Sequence, residues 1–329
     1  LTALAPAGFF AVHRKLTTAV LVAALSLNVA GRPPALFSAA AATPRQNSHS
    51  PQTKDSSTPP TAAELQARAQ KLIANQRRDD DALEQYERVE HQVSRTAGDN
   101  PRTLEDRTFR VVPTGSGYLK LVLKIDGKPA DPADYHKQLQ AWADLLALML
   151  RTDDPRTKTA LAKWQKRQQE RAELVETSPQ AFSLTWLGIE DRNGRRCDVL
   201  DLQPNPNFHP HTILQEAISH VVAKIWVDRE ANQMVRAEAH LLKDVSFGGG
   251  ILGKLYRGGV FSIDQVEVSP GVWFPSRYQY DFTARKFLFT FEEHQYIEAS
   301  QYHWDGPPKQ ALAIAQNELT TGKMAYGAQ

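Results

Sequence analysis

From residue 182 onward, apolar and polar side chains trade places at every second position. Phe182, Leu184 and Trp186 alternate with Ser183 and Thr185, which puts the large side chains on one face of a strand over 182–188. Asp191-Arg192-Asn193-Gly194 turns the chain into a second strand over 196–202, and Asn-Gly is a strong short-range hairpin signal. Runs at 221–227 and 234–242 flank the polar turn 228–232; runs at 260–268 and 272–282 flank Ser269-Pro270-Gly271. A break at Thr283-Ala284 precedes a last long strand over 285–298. The expected product is an antiparallel meander with one apolar face.

An earlier group of strands is expected over 84–95, 102–112 and 118–125, punctuated by Gly98-Asp99-Asn100-Pro101, by the turn 113–117 and by Asp126-Gly127-Lys128-Pro129. Ahead of it, Thr61 with Glu64 three residues later marks a helix start, and Leu65, Leu72 and Ile73 share one face of the helix that follows, over 61–77. Two helices separate the strand groups. The first, 131–150, carries Leu139, Trp142, Leu145, Leu146 and Leu150 at helical spacing and should lay that stripe on the sheet. The second opens at Asp154-Pro155 and runs to about residue 176. Only Leu161, Trp164 and Leu174 are clearly apolar in it, so it is expected to be mostly solvated. A short helix over 307–319 closes the pattern. Strand runs around a helical insertion indicate an α+β fold built on one curved antiparallel sheet of about ten strands.

Residues 1–42 read as an export signal. His13-Arg14-Lys15 is basic, 16–30 is an uncharged apolar run, and Ala39 to Ala42 offer small residues for cleavage; the alternative is an uncleaved anchor. Residues 43–60 are expected to be a disordered linker, 61–306 the folded domain, and 307–329 a C-terminal helix and tail. The formal charge is +2, and the signal holds Arg14, Lys15 and Arg32 with no acid, so removing it leaves 2 − 3 = −1. A near-neutral chain without a basic block argues against nucleic acid as a partner. The lone Cys197 excludes an intramolecular disulfide and reads as a small buried apolar residue, and no cysteine near the signal offers a lipid anchor. Export without disulfides points to a bacterial periplasm, with secretion beyond it as the alternative.

Chemistry-bearing motifs are sparse. His209-Pro210-His211 sets two imidazoles in a loop, but neither HExxH nor Cys-pair spacing accompanies them, and a solvated loop is the expectation. With no GxSxG and no acid pair placed near a histidine, no catalytic residue, metal site or cofactor is expected, and the chain does not read as an enzyme. Asp198, Asp201, Asp244 and Glu292 are expected to be solvated strand-edge charges. Around Gly248-Gly249-Gly250, the run ending Gly253-Lys254 imitates the start of a phosphate-binding loop, yet Leu255 stands where a Ser or Thr should meet Mg²⁺, and a strand follows in place of a helix. This run is expected to be a loop at the mouth of the fold: Phe247, Ile251 and Leu252 would be apolar contacts, with Lys254 and Arg257 turned to phosphate headgroups. A tight inter-strand connection is the alternative.

Three stretches carry a family resemblance: Leu187-Gly188-Ile189-Glu190 with Asn193-Gly194-Arg195-Arg196-Cys197-Asp198-Val199-Leu200; Lys224-Ile225-Trp226-Val227-Asp228 answered by Met234-Val235-Arg236-Ala237-Glu238; and Gly271-Val272-Trp273-Phe274-Pro275-Ser276-Arg277-Tyr278. Over roughly 63–302 the chain resembles the periplasmic lipoprotein-carrier superfamily, the half-barrel proteins that include the LolA and LolB lipoprotein chaperones. That resemblance implies a half-barrel whose helices cover the concave face, enclosing an apolar cavity for acyl chains. The residues that would line it here are Phe182, Leu184, Trp186, Ile225, Tyr278, Tyr280, Phe282, Phe287, Phe289 and Phe291. The same face fully covered by the helices over 61–77 and 131–150 would be an ordinary core. The expected partner is a lipid or an acylated protein, with a membrane surface or an envelope protein as a further contact; the oligomeric state is not fixed by these residues. An envelope interaction or sensor module of the same fold, without an enzymatic role, is the second reading, and an envelope enzyme using the His209 region the third.

Overall fold

The structure, a computed structural model, describes residues 59–98, 100–247 and 253–322. The expected signal and nearly all of the linker lie outside them. The elements are α1 (Ala62–Leu83), β1 (Tyr86–Arg95), β2 (Thr103–Pro113), β3 (Tyr118–Ile125), β4 (Lys128–Pro129), α2 (Pro132–Met149), α3 (Pro155–Ala181), β5 (Phe182–Arg192) and β6 (Arg195–Pro204). There follow α4 (Ile213–Ile218), β7 (Val221–Asp228), β8 (Met234–Leu241), β9 (Val245–Phe247), β10 (Gly253–Leu255), β11 (Val260–Ser269), β12 (Val272–Lys286), β13 (Phe289–Trp304) and α5 (Pro308–Thr321).

The strands form one 13-stranded sheet in the order β4-β3-β2-β1-β13-β12-β11-β8-β7-β6-β5, and the short β9–β10 hairpin pairs with the end of β12. The sheet is open, with β4 and β5 at its edges, and its described pairings are antiparallel. It is the α+β fold on one antiparallel sheet expected from the pattern, consistent with the half-barrel the resemblance implied, with three short strands more than about ten long ones. β1 pairs with β13, so the early strand group is stitched to the end of the meander and the two groups make one sheet.

Local chemistry explains most element boundaries. Thr61 and Glu64 form the capping box of α1, and Asp131 and Asp154 cap α2 and α3, each followed by a proline that suits the first helical turn. Asn193 and Gly194 both take positive φ, 51° and 74°, between paired Arg192 and Arg195. That is the backbone a two-residue hairpin requires.

Three expectations change. The break placed at Thr283-Ala284 does not exist: β12 runs on to Lys286, and the turn falls at Phe287-Leu288, with Phe287 at φ 53°. A phenylalanine in left-handed backbone is no turn signal, whereas Thr-Ala looked like an interruption. Helix α4, β4 and the β9–β10 hairpin also add elements too short to announce themselves by periodicity.

The third change concerns which helices lie on which face. Leu139, Trp142, Ala143 and Leu146 of α2 and Ala311 and Ala315 of α5 bury Val112 and Leu121. Neighbouring Val111 and Lys120 point the other way, because pairing aligns Arg88 with Val111 and Val111 with Lys120, in the row that leads to the concave side. Helix α2 therefore covers the convex side and not the concave one. The convex side of β2–β3 offered the apolar surface its stripe needed, and the Trp142 indole donates to the Pro113 carbonyl at 2.8 Å there.

Helices α1, α3 and α4 occupy the concave side instead. Leu72 of α1, Leu174 of α3 and Ile218 of α4 are buried with Leu202, Ile225, Ala237 and Ile263 in the largest core cluster. The long charged α3 is thus a strap over the sheet as well as a solvated face. On the convex side of the meander, Trp226 and Trp273 pack with Cys197, Val199 and Val235, roofed by Arg192 at 4.0 Å over Trp226 and Arg195 at 4.5 Å over Trp273. Cys197 is buried as expected, and burial pushes its thiol up to about 11.

Candidate functional site

Register assembles the concave wall. Trp186, Leu200, Ile225, Ala237, Ile263, Tyr278 and Ile297 are successive cross-strand partners over seven strands, and the next row joins Leu184, Leu202, Ala223, Ala239, Phe261 and Tyr280. Partners directly opposite in an antiparallel ladder share a face, so both rows line one surface. Within it, Phe182 and Ile225 are buried floor, while Leu184, Trp186, Tyr278, Tyr280 and Phe282 are half-buried against the same core. Tyr278 and Tyr280 stack at 6.2 Å, and Phe261 tilts against Tyr280 at 5.3 Å.

The later phenylalanines behave differently. Phe291 stands opposite Ala284 and Phe289 opposite Lys286, so both follow the Tyr278-Tyr280-Phe282 face in register. Phe291 is half-buried, but Phe289 is 78% exposed, Leu288 92% and Phe287 53%. Phe287 and Phe289 therefore stand on a hairpin tip beyond the wall and not within it, because the turn falls four residues later than expected. Beside the tip, β10 pairs Gly253–Leu255 with Lys286–Ala284. Of the expected mouth loop, Ile251 and Leu252 and the side chain of Phe247 lie outside what is described. Lys254 is held by Asp244 at 2.7 Å over the Tyr256 ring, and Arg257 is exposed.

Polar contacts tie strap α3 over this side, beside its buried Leu174 and Ala181. Arg167 donates to the Ser116 carbonyl at 2.8 Å, Arg171 pairs with Asp80 of α1 at 2.5 Å, and Gln215 of α4 donates to Thr177 at 3.3 Å. Half-exposed polar contacts of this kind are each worth at most about 1 kcal/mol. Leu174 and Ala181 are the apolar side chains of α3 buried among the described residues.

Toward β1 the concave face turns polar. Arg88 donates to Glu90 at 2.8 Å, Lys120 meets the other Glu90 oxygen at 2.8 Å, and Gln92 donates to it at 2.9 Å. Arg88 and Glu90 are each 4% exposed. Burial pushes the Glu90 carboxyl up, but Arg88 and then Lys120 outweigh it and hold the group well below the usual carboxylate range. Sequence reading missed this cluster: Arg88, Glu90 and Gln92 alternate on one face of β1, a pattern that normally marks a solvated side.

A second polar cluster sits on the convex side, under α2 and α5. Arg110 pairs with Glu87 and with Glu318, each at 2.7 Å, and the Tyr135 hydroxyl donates to Glu318 at 3.0 Å. Glu87 also faces Asp305, whose carboxyl is pushed up to about 8, by burial first and by the Glu87 charge next. His303 reaches Asp305 at 3.3 Å, and burial followed by Arg110 lowers its pKa. Glu87, His303 and Asp305 place ligand atoms within 4.8 Å of one another, the one such set among the described residues. No spacing announced it, since Glu87 and His303 meet only because β1 pairs with β13. His209 and His211 are exposed and join no such set. Nor do the four acids come together: Asp198 is buried against Arg68 and the Trp186 indole, Asp201 accepts from Gln203, Asp244 holds Lys254, and Glu292 is exposed. A groove of about 460 Å³ runs between α2 and α5, lined by Gln140, Asp144, Leu312 and Gln316, away from the aromatic wall.

No protein-family model and no curated protein matches this chain. Among solved structures it is similar to a putative outer membrane lipoprotein-sorting protein domain from Vibrio parahaemolyticus, at 9% identity over 77% of this chain and 97% of that one, with a TM-score of 0.29. It is also similar to a LolA superfamily protein from Nitrosomonas europaea, at 10% identity over 73% and 96%, TM-score 0.26. A DUF1329 family protein from Desulfovibrio piger matches at 12% identity over 70% and 91%, TM-score 0.26. TM-scores this low carry no argument, and the half-barrel rests on strand order and register.

Proposed function

We propose that this chain is a carrier for a lipid or an acylated protein, holding the hydrocarbon between the aromatic wall and strap α3, and that it works in a bacterial periplasm. One observation carries the reading: on the face that α3 crosses, large apolar side chains stay half-buried at either end of a buried row, Leu184 and Trp186 on β5 and Tyr278, Tyr280 and Phe282 on β12. Hydrocarbon gains about 0.8 kcal/mol per methylene buried, so the wall offers affinity without polar chemistry. Phe287, Leu288 and Phe289 supply an exposed apolar tip at the end of β12–β13 where a ligand would enter or leave.

The test is a lipid extract of the natively purified full chain, analysed by mass spectrometry beside a Tyr280→Asp variant that still unfolds cooperatively. Acyl lipid in stoichiometric amount with the parent chain, and lost from the variant, supports the reading. Extracts free of lipid, together with no uptake of a fluorescent fatty acid by the purified chain, would sink it. The second reading, a protein-interaction module, draws on the same exposed tip: a stable protein complex without lipid, broken by Phe289→Asp, favours it.

A further inference from the structure

The convex cluster holds an electrostatic imbalance. Glu87, Asp305 and Glu318 face a single guanidinium, Arg110, which lies between Glu87 and Glu318. With all three carboxylates ionised, two negative charges stay uncompensated at positions that are 4%, 0% and 1% exposed. Buried charge in excess of its partners is expensive, and a proton or a cation normally resolves it.

Local geometry says where the deficit lies. Asp305 Oδ2 is fully buried and accepts no hydrogen bond from a described donor, while its carboxyl faces that of Glu87. Acceptor meets acceptor there. His303 joins them because β13 is irregular at Gln301, which takes φ 53°, and the pairing slips from Val89–Ser300 to Glu87–His303. A bulge of this kind re-aims the side chains that follow it. It turns His303 to the convex side, toward Glu87 and Asp305.

We propose that Glu87, His303 and Asp305 form a binding site for a divalent cation of the zinc class, clipping the start of β1 to the end of β13. One imidazole nitrogen and two carboxylate oxygens are a donor set that zinc accepts, with a fourth position left to water. Tetrahedral bonds of about 2.0–2.1 Å place ligand atoms about 3.3 Å apart. Asp305 and His303 already stand at 3.3 Å, and the whole set lies within 4.8 Å. The ion's two charges equal the carboxylate excess. His303, with a third of its side chain exposed, opens the site to solvent.

Titration calorimetry of the chelator-stripped full chain with Zn²⁺ alone is the decisive experiment, run beside His303→Ala and beside a His209→Ala/His211→Ala control. His303, a third exposed, is chosen because Glu87→Gln removes one of the two carboxylates that hold buried Arg110 and threatens folding. One equivalent of zinc with a dissociation constant below about 1 µM, weakened at least about tenfold by His303→Ala and unchanged in the control, is expected. Zinc should also raise the unfolding temperature of the parent chain and not that of His303→Ala. No zinc uptake at 100 µM would overturn the proposal and leave a shared proton between Glu87 and Asp305. Binding kept in His303→Ala, or lost in the control, would overturn it equally, by placing the metal elsewhere.

Discussion

Changing Glu90 to Gln isolates what the buried ion cluster does for the concave face. Arg88 and Lys120 both reach the Glu90 carboxylate, at 2.6 and 2.8 Å, and the Arg88 and Glu90 side chains are each 5% exposed. Each contact is worth about 4 kcal/mol at the effective dielectric that reproduces protein electrostatics. The amide keeps one acceptor and no longer bears the carboxylate's desolvation, which offsets several kcal/mol. A net loss of about 3–5 kcal/mol follows, because Arg88 is left buried without its counter-charge. Urea unfolding followed by tryptophan fluorescence at pH 7 reads it directly. Arg88→Met combined with Glu90→Leu should lose much less than the two single changes added together, since neither buried partner is then left facing the other's absence and only Lys120, 18% exposed, loses its Glu90 contact. The same carboxyl has a definite pH signature. Its folded pKa lies below the ordinary glutamate value of 4.5, so its stabilisation is complete above that value and is lost as pH falls toward the folded one. Glu90→Gln should therefore flatten part of the acid limb of the stability profile. A loss under about 1 kcal/mol, or an unchanged acid limb, would show that water reaches the cluster and that the face there is open.

Two further predictions separate strap from tip. Leu174→Ala should destabilise the chain by about 2–4 kcal/mol, with a slope in urea no steeper than the parent's, because Leu174 is 3% exposed and is the large apolar anchor of α3; a loss under about 1 kcal/mol would mean that α3 is not seated on the core. Phe289→Asp should leave stability within about 0.5 kcal/mol, since the side chain is 78% exposed, while slowing transfer of a fluorescent fatty acid to vesicles; a large loss of folding would place Phe289 in a packed interior.

The meander, its turns and the helix starts were readable because each depends on neighbours in the chain. Alternation at Phe182, Leu184 and Trp186, the Asn193-Gly194 turn, the Thr61–Glu64 capping box and the aspartate-proline starts of α2 and α3 all use contacts within a few residues. Much of the candidate wall followed too, since period-two alternation names a face and the hairpins align the faces. Three things waited on tertiary structure. Trp142 and its stripe announced a buried helix face but not which side of the sheet would bury it, because both sides of β2–β3 carry apolar residues and only the packing of α1 and α3 decides between them. The tip at Phe287 and Leu288 bears no turn residues; the pairing of β12 with β13 and β10 fixes it. Arg88 with Glu90 and Lys120, and Glu87 with His303 and Asp305, read as ordinary strand polarity along the chain. Burial alone gives those charges their consequence, and burial is a property of what the far ends of the chain place beside them.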